Sequence, residues 1–162
     1  MKVLCGIDGY APSAAAAAAA MDLAKWLGAQ LTFYMVNPAL PGRGARFYLW
    51  SDEHVRKILA EIGRRGRWSG VADVRCASQR ANSIAGAIVD YADEHEMDYI
   101  VIGTSARPAV LKLLSGSVSR EVVAKANCPV VVVHRNRGRS DRRHRGGWPE
   151  PVVFHDIVPA VA

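Results

Sequence analysis

The sequence predicts an α/β fold, a parallel sheet of five strands with helices on both faces. Two observations carry this expectation. Short apolar runs alternate with segments of helical periodicity along residues 1–134, and most of those runs are apolar throughout rather than at every second position. A strand without a polar face has both faces covered, which is the condition of a parallel sheet between helical layers.

The elements follow in chain order. Lys2–Asp8 is a short apolar run suited to a buried strand, followed by Gly9, Pro12 and Ser13. Ser13 is an expected N-cap for a helix over Ala14–Leu27, closed by Gly28. Its alanine run has high helix propensity and little bulk, so the helix can lie close to the sheet. Leu31–Val36 is the second strand, and Asn37–Trp50, with its prolines and glycines, reads as a long loop. Val55, Ile58, Leu59 and Ile62 then mark one face of a second helix. Asp52 and Glu53 at its start and Arg64, Arg65 and Arg67 at its end suit the helix dipole.

Val71–Cys76 is a third strand, interrupted by Asp73 and Arg75. Asn82 or Ser83 caps a helix reaching about Glu94, with Ile84, Ile88 and Tyr91 turned inward. Tyr99–Ile102 is the fourth strand and ends at Gly103. A loop leads to a helix from about Ser117 to Ala126, and Pro129 precedes the last strand, Val130–Val133. The chain thus divides into a domain over 1–134 and a segment over 135–162. In that second part, Arg135–Gly147 reads as a basic linker, and Pro151–Val161 as an apolar arm that either docks on a partner subunit or its own sheet or stays free as a tail.

Composition narrows the function classes. The net charge of +6 is divided equally between residues 1–134 and the short 135–162 segment, whose six arginines face Asp141, Glu150 and Asp156. That is the pattern of a basic linker, and it argues against a nucleic-acid partner, which wants cations and aromatics on a folded face. No apolar run approaches the roughly 20 residues that span a bilayer, so no membrane association is expected. The first apolar stretch is too short for a signal sequence, and a cytoplasmic location is expected. Cys5, Cys76 and Cys128 show no paired spacing and are expected as reduced, buried thiols, with no structural metal. His95 lies among Asp93, Glu94 and Glu96 on an expected solvated face at the far end of its helix.

In an open parallel sheet, ligands bind beyond the carboxyl ends of the strands where the strand order reverses. Asp8 closes the first strand, Gly103 closes the fourth, and Gly116-Ser117-Val118-Ser119 opens the last helix. Backbone N–H groups at a helix start beside two hydroxyls make a phosphate cradle. G-x-x-x-x-G-K-S/T and G-x-G-x-x-G are both missing, and no Ser-His-Asp or Cys-His set can be assembled.

Gly103-Thr104-Ser105-Ala106, nine residues, then Gly116-Ser117 resembles the universal stress protein signature G-x-x-G-x9-G-S/T. Ala126-Asn127-Cys128-Pro129 followed by Val130–Val133 is similar to that family's last strand, and Val3–Gly9 with Ser13 to its first strand and turn. The resemblance implies a Rossmann-like, doubly wound sheet in the order 3-2-1-4-5. It implies an adenine nucleotide, ATP with ADP or AMP as alternatives, and Mg²⁺ with it. Asp8 would lie at the adenosine end and Val36 against adenine, with Gly103, Ala106, Gly116, Ser117, Val118 and Ser119 around the ribose and phosphates. Ala106 replaces the signature's second glycine, at a cost of about 1 kcal/mol if its φ is positive. Tyr10 stands where a small residue is usual, and Arg107 and Lys112 lie in the same loop. The implied role is a stress-response protein acting as a homodimer through its last strand. A nucleotide-hydrolysing or nucleotidyl-transferring enzyme on the same fold, and an interaction module that binds no nucleotide, stay open beside it.

Overall fold

At the centre of the sheet lies β1 (Lys2–Ile7), paired in parallel with β2 (Gln30–Leu40) on one side and β5 (Tyr99–Thr104) on the other. This computed structural model describes residues 1–9, 11–40, 47–104 and 117–134. β4 (Val74–Ala81) flanks β2, and β6 (Val130–His134) flanks β5. The parallel order is β4-β2-β1-β5-β6. Counted over the five expected strands, that is 3-2-1-4-5.

The helices form two layers. α1 (Ala11–Leu27) and α2 (Asp52–Trp68) cover one face, where Ala16, Ala17, Ala20 and Ala24 meet Val3, Cys5, Phe33 and Val101. α3 (Ile84–Glu94) and α4 (Ser117–Lys125) cover the other, where Ile88, Ala92 and Val122 meet Leu4, Tyr34, Ile100 and Ile102. Alternate residues of β1 and β2 therefore enter opposite cores, which is why these strands carry no polar face.

Local chemistry sets the helix starts. Ser51 caps α2 by accepting the His54 N–H at 3.2 Å, and Ser83 caps α3 by accepting that of Gly86 at 3.0 Å. α1 departs from expectation. It begins at Ala11, so Ser13 is a buried first-turn residue rather than the N-cap. Pro12 is compatible with this because a first-turn residue needs no N–H partner.

Three further expectations are corrected. The stretch 37–50 is not all loop: β2 runs on to Leu40, and a two-residue strand, β3 (Phe47–Tyr48), pairs antiparallel with Ala39 and Leu40. The third expected strand lies later in the chain, at 74–81 instead of 71–76, because this edge strand is largely exposed and polar. Cys5 is buried, and burial pushes its thiol far up, but Cys76 on that edge strand is exposed and Cys128 half-buried. All three are free thiols; the Cys76 Sγ–H donates to the Leu59 carbonyl at 3.4 Å. No helix among the described residues is long and apolar enough to cross a membrane.

Candidate functional site

The ladders stop at different heights at the carboxyl edge of the sheet, where ligand crevices of open parallel sheets lie. β1 ends its pairing with Gly6 opposite Ile102 of β5 and Ile7 opposite Met35 of β2. Val36 is the next residue of β2, Gly103 the next of β5, and Asp8 follows Ile7. Three of the residues singled out in the sequence therefore lie side by side at the carboxyl ends of adjacent strands, spaced by about 4.8 Å per strand. From β1 the chain leaves to a helix on one face, and from β5 to a helix on the other, so this is the switch point of the sheet.

Each residue has a distinct character. Asp8 is exposed. Gly9 has φ +77°, and a Cβ there would stand 2.8 Å from Cδ1 of Ile58 in α2. The positive φ favours glycine, a Cβ would have to displace the flexible end of Ile58, and the turn bearing Asp8 is held directly against α2. Val36 is buried in the α3/α4 core and offers an apolar wall. Gly103 pairs with Val133 of β6 and is half-buried.

α4 runs from the carboxyl edge of the sheet back to its amino edge, where β6 begins, so its first turn, Ser117-Val118-Ser119, faces the crevice end of the molecule. Val118 packs into the α3/α4 core, so what it offers a ligand is its backbone N–H. Ser119 is half-buried. Ala106 and Gly116, with Tyr10, Arg107, Lys112 and the whole 135–162 segment, lie outside the described residues.

The donor set suits a nucleoside phosphate: an apolar wall, a carboxylate for hydroxyl or amino groups, and helix-start N–H groups for phosphate. Among the described residues no three His, Cys, Asp or Glu side chains are placed to hold a metal ion. His95 is at the opposite end of the molecule, where its carbonyl accepts from Lys2 Nζ at 2.9 Å and its ring stacks on Tyr91 at 3.9 Å.

One part of the site was missed by sequence reasoning. Asn37, directly after Val36, is buried, and its amide grips the backbone of Trp50. Nδ2 donates to the Trp50 carbonyl at 2.7 Å, and the Trp50 N–H donates to Oδ1 at 3.0 Å. Arg80, the register partner of Asn37 on β4, donates twice to the Asp52 carboxylate at 2.6 and 2.7 Å and lies 4.8 Å from the Tyr48 ring centre. Two neighbouring strand ends thus hold the segment that leads into α2. The signal available in the sequence was Asn37-Pro38 after an apolar run, which reads equally well as a turn.

The sequence model of the universal stress protein family matches residues 1–134. A universal stress protein of Methanocaldococcus jannaschii is 28% identical over 145 residues, covering 83% of this chain and 82% of that protein. One from Mycobacterium tuberculosis is 30% identical over 142 residues, covering 82% of this chain; the chain spans about half, 47%, of that relative's length. Among solved structures, the Archaeoglobus fulgidus universal stress protein in complex with dAMP superposes with a TM-score of 0.62 at 26% identity, covering 82% of this chain and 96% of that one.

Proposed function

For this chain, which belongs to the universal stress protein family, we propose an adenine-nucleotide-binding role, with the ligand at the carboxyl ends of β1, β2 and β5. The observation that carries the reading is the juxtaposition of Val36, Asp8 and Gly103 just beyond the last pairs of the central ladders. The dAMP complex of the Archaeoglobus fulgidus protein supports the ligand class. In this reading adenine lies against Val36, Asp8 takes the adenosine end, and the phosphates meet Gly103, Ala106 and the Gly116–Ser119 helix start. ATP is the proposed ligand, with Mg²⁺ carried on its phosphates. The protein then acts as a cytoplasmic stress-response module that dimerises through β6. β6 pairs only with β5 among the described residues, and Val131 is exposed on it, so an apolar edge is open to a second copy.

The test is mass spectrometry of the denatured protein for co-purified nucleotide, with calorimetric titration of ATP, ADP and AMP. Binding is expected at micromolar to sub-millimolar Kd. Ala106→Gly should tighten it about five- to tenfold, the equivalent of about 1 kcal/mol, and Gly116→Val should abolish it. No nucleotide and no heat for either the wild type or Ala106→Gly would refute the reading.

A further inference from the structure

We infer that Asn37 is a positioning residue that sets the adenosine end of the crevice from a distance, through α2. The inference rests on the nucleotide reading for its ligand and on the structure for its path. The path is contiguous. Asn37 fixes the Trp50 backbone by two hydrogen bonds. Ser51, the next residue, caps α2. Trp50 stacks on His54 in the first turn of that helix at 4.6 Å. Ile58, one turn further, is buried and lies where a Cβ of Gly9 would be. Gly9 adjoins Asp8. A helix transmits a displacement of its first turn along its axis as a rigid body, so the position of Trp50 decides where Ile58 meets the Asp8–Gly9 turn.

The second grip on the same segment, Arg80 on Asp52 and Tyr48, is exposed on both partners, and water screens it. The Asn37 amide is buried with donor and acceptor both satisfied, so its removal takes two hydrogen bonds from the Trp50 backbone. At Trp50 itself Asn37 therefore outweighs Arg80, next to the backbone hold in which the Leu49 N–H donates to the Pro38 carbonyl at 3.0 Å.

Two measurements test this on the full chain, with Asn37→Ala, Ile58→Ala, the double variant, Arg80→Gln, and Val89→Ala in the α3/α4 core as a control for general destabilisation. In calorimetric titration with ATP well below the melting temperature, Asn37→Ala and Ile58→Ala should each weaken binding about five- to tenfold. The double variant should be no weaker than the poorer single, because both break one path. Arg80→Gln should weaken binding about twofold or less, and Val89→Ala should leave it unchanged. Additive losses in the double variant, or an equal loss in Val89→Ala, overturn the inference.

Amide exchange provides a reading independent of nucleotide. Asn37→Ala should speed exchange at Gly9 and at 55–58 at least tenfold, and Val89→Ala should not. Absence of ATP heat in the wild type would refute the nucleotide site alone, and an unchanged Gly9 amide in Asn37→Ala would refute the positioning role alone. Should Asn37→Ala fail to fold, Asn37→Ser carries the same exchange measurement, with an intermediate effect expected; no effect there overturns the inference.

Discussion

Substituting Gly9 with alanine separates two costs that meet at one atom. The first is conformational, since φ of +77° lies in the left-handed region and costs an L-residue about 1–2 kcal/mol. The second is steric, since the new Cβ would stand 2.8 Å from Cδ1 of Ile58. That atom is the end of a flexible side chain, so the cost of moving it is about 0.5–1.5 kcal/mol, an off-rotamer displacement. Together, Gly9→Ala should lose about 1.5–3.5 kcal/mol in urea denaturation followed by far-ultraviolet circular dichroism, and about 3–14 °C in Tm. Ile58→Val removes Cδ1 and alone should cost about 0.5–1.5 kcal/mol. The double variant should then lose about 0.5–1 kcal/mol less than the sum of the two singles, because the clash no longer exists while the backbone cost persists. A Gly9→Ala loss below about 0.5 kcal/mol would refute the backbone argument. Additivity within about 0.3 kcal/mol would refute the contact with α2.

Three other outcomes are expected. Ser83→Ala leaves the Gly86 N–H without its cap and should cost about 1 kcal/mol in the same urea titration; no loss would show the cap to be immaterial. Val131→Lys should convert the proposed dimer to monomer in light scattering at micromolar concentration, and a wild type already monomeric there would remove β6 as the interface. Stability should fall above about pH 9. Burial raises the Cys5 thiol far above 9.0 and Tyr34 from 10.0 to about 12, with the charges of Tyr91, Asp90 and Glu94 adding to the latter. Between the unfolded and folded values the native state holds protons that the unfolded chain has released, so each group's contribution is full below its unfolded value and is lost as pH rises. Tyr34→Phe should flatten the part of that decline above pH 10, and an unchanged profile would contradict it.

The parallel sheet was legible because its central strands have no choice of face. Val3, Leu4, Cys5, Leu31, Phe33, Tyr34, Ile100 and Val101 are all buried, and continuous apolar sequence is the direct record of that. The misplaced strand has the opposite character. Arg75, Cys76, Ser78, Gln79 and Arg80 of β4 are exposed, so no hydrophobic period marks its limits; it is specified by hydrogen bonds to β2 from Leu31 through Pro38. The apolar face expected for α2 was right but incomplete. Gly63 and Gly66 are also buried in it, with Cβ positions 2.8 Å from Cys76 Sγ and 3.0 Å from Phe33 and Val74. Close helix-to-sheet approach is written there as missing side chains, which a search for apolar residues passes over.

The candidate site divides along the same line. The placement of Asp8, Gly103 and the Ser117–Ser119 turn at one end of the sheet was legible because Asp8 and Gly103 close two strands and Ser117 opens a helix in fixed sequence order. The Asn37–Arg80 pair was not, because its two members are 43 positions apart and become neighbours only through the β2–β4 register. Neither residue belongs to a motif, and each has an ordinary reading alone: a turn former before proline, and a solvated arginine on an edge strand. Their joint grip on residues 48–52 exists only once β2 has carried on past β1 by five residues, from Val36 to Leu40. That overhang carries β2 past the end of β1 and, in the proposed positioning role, sets α2 against the Asp8–Gly9 turn. In that role, the place of the Asp8–Gly9 turn depends on a strand extension that runs through Pro38, which local sequence rules read as a stop.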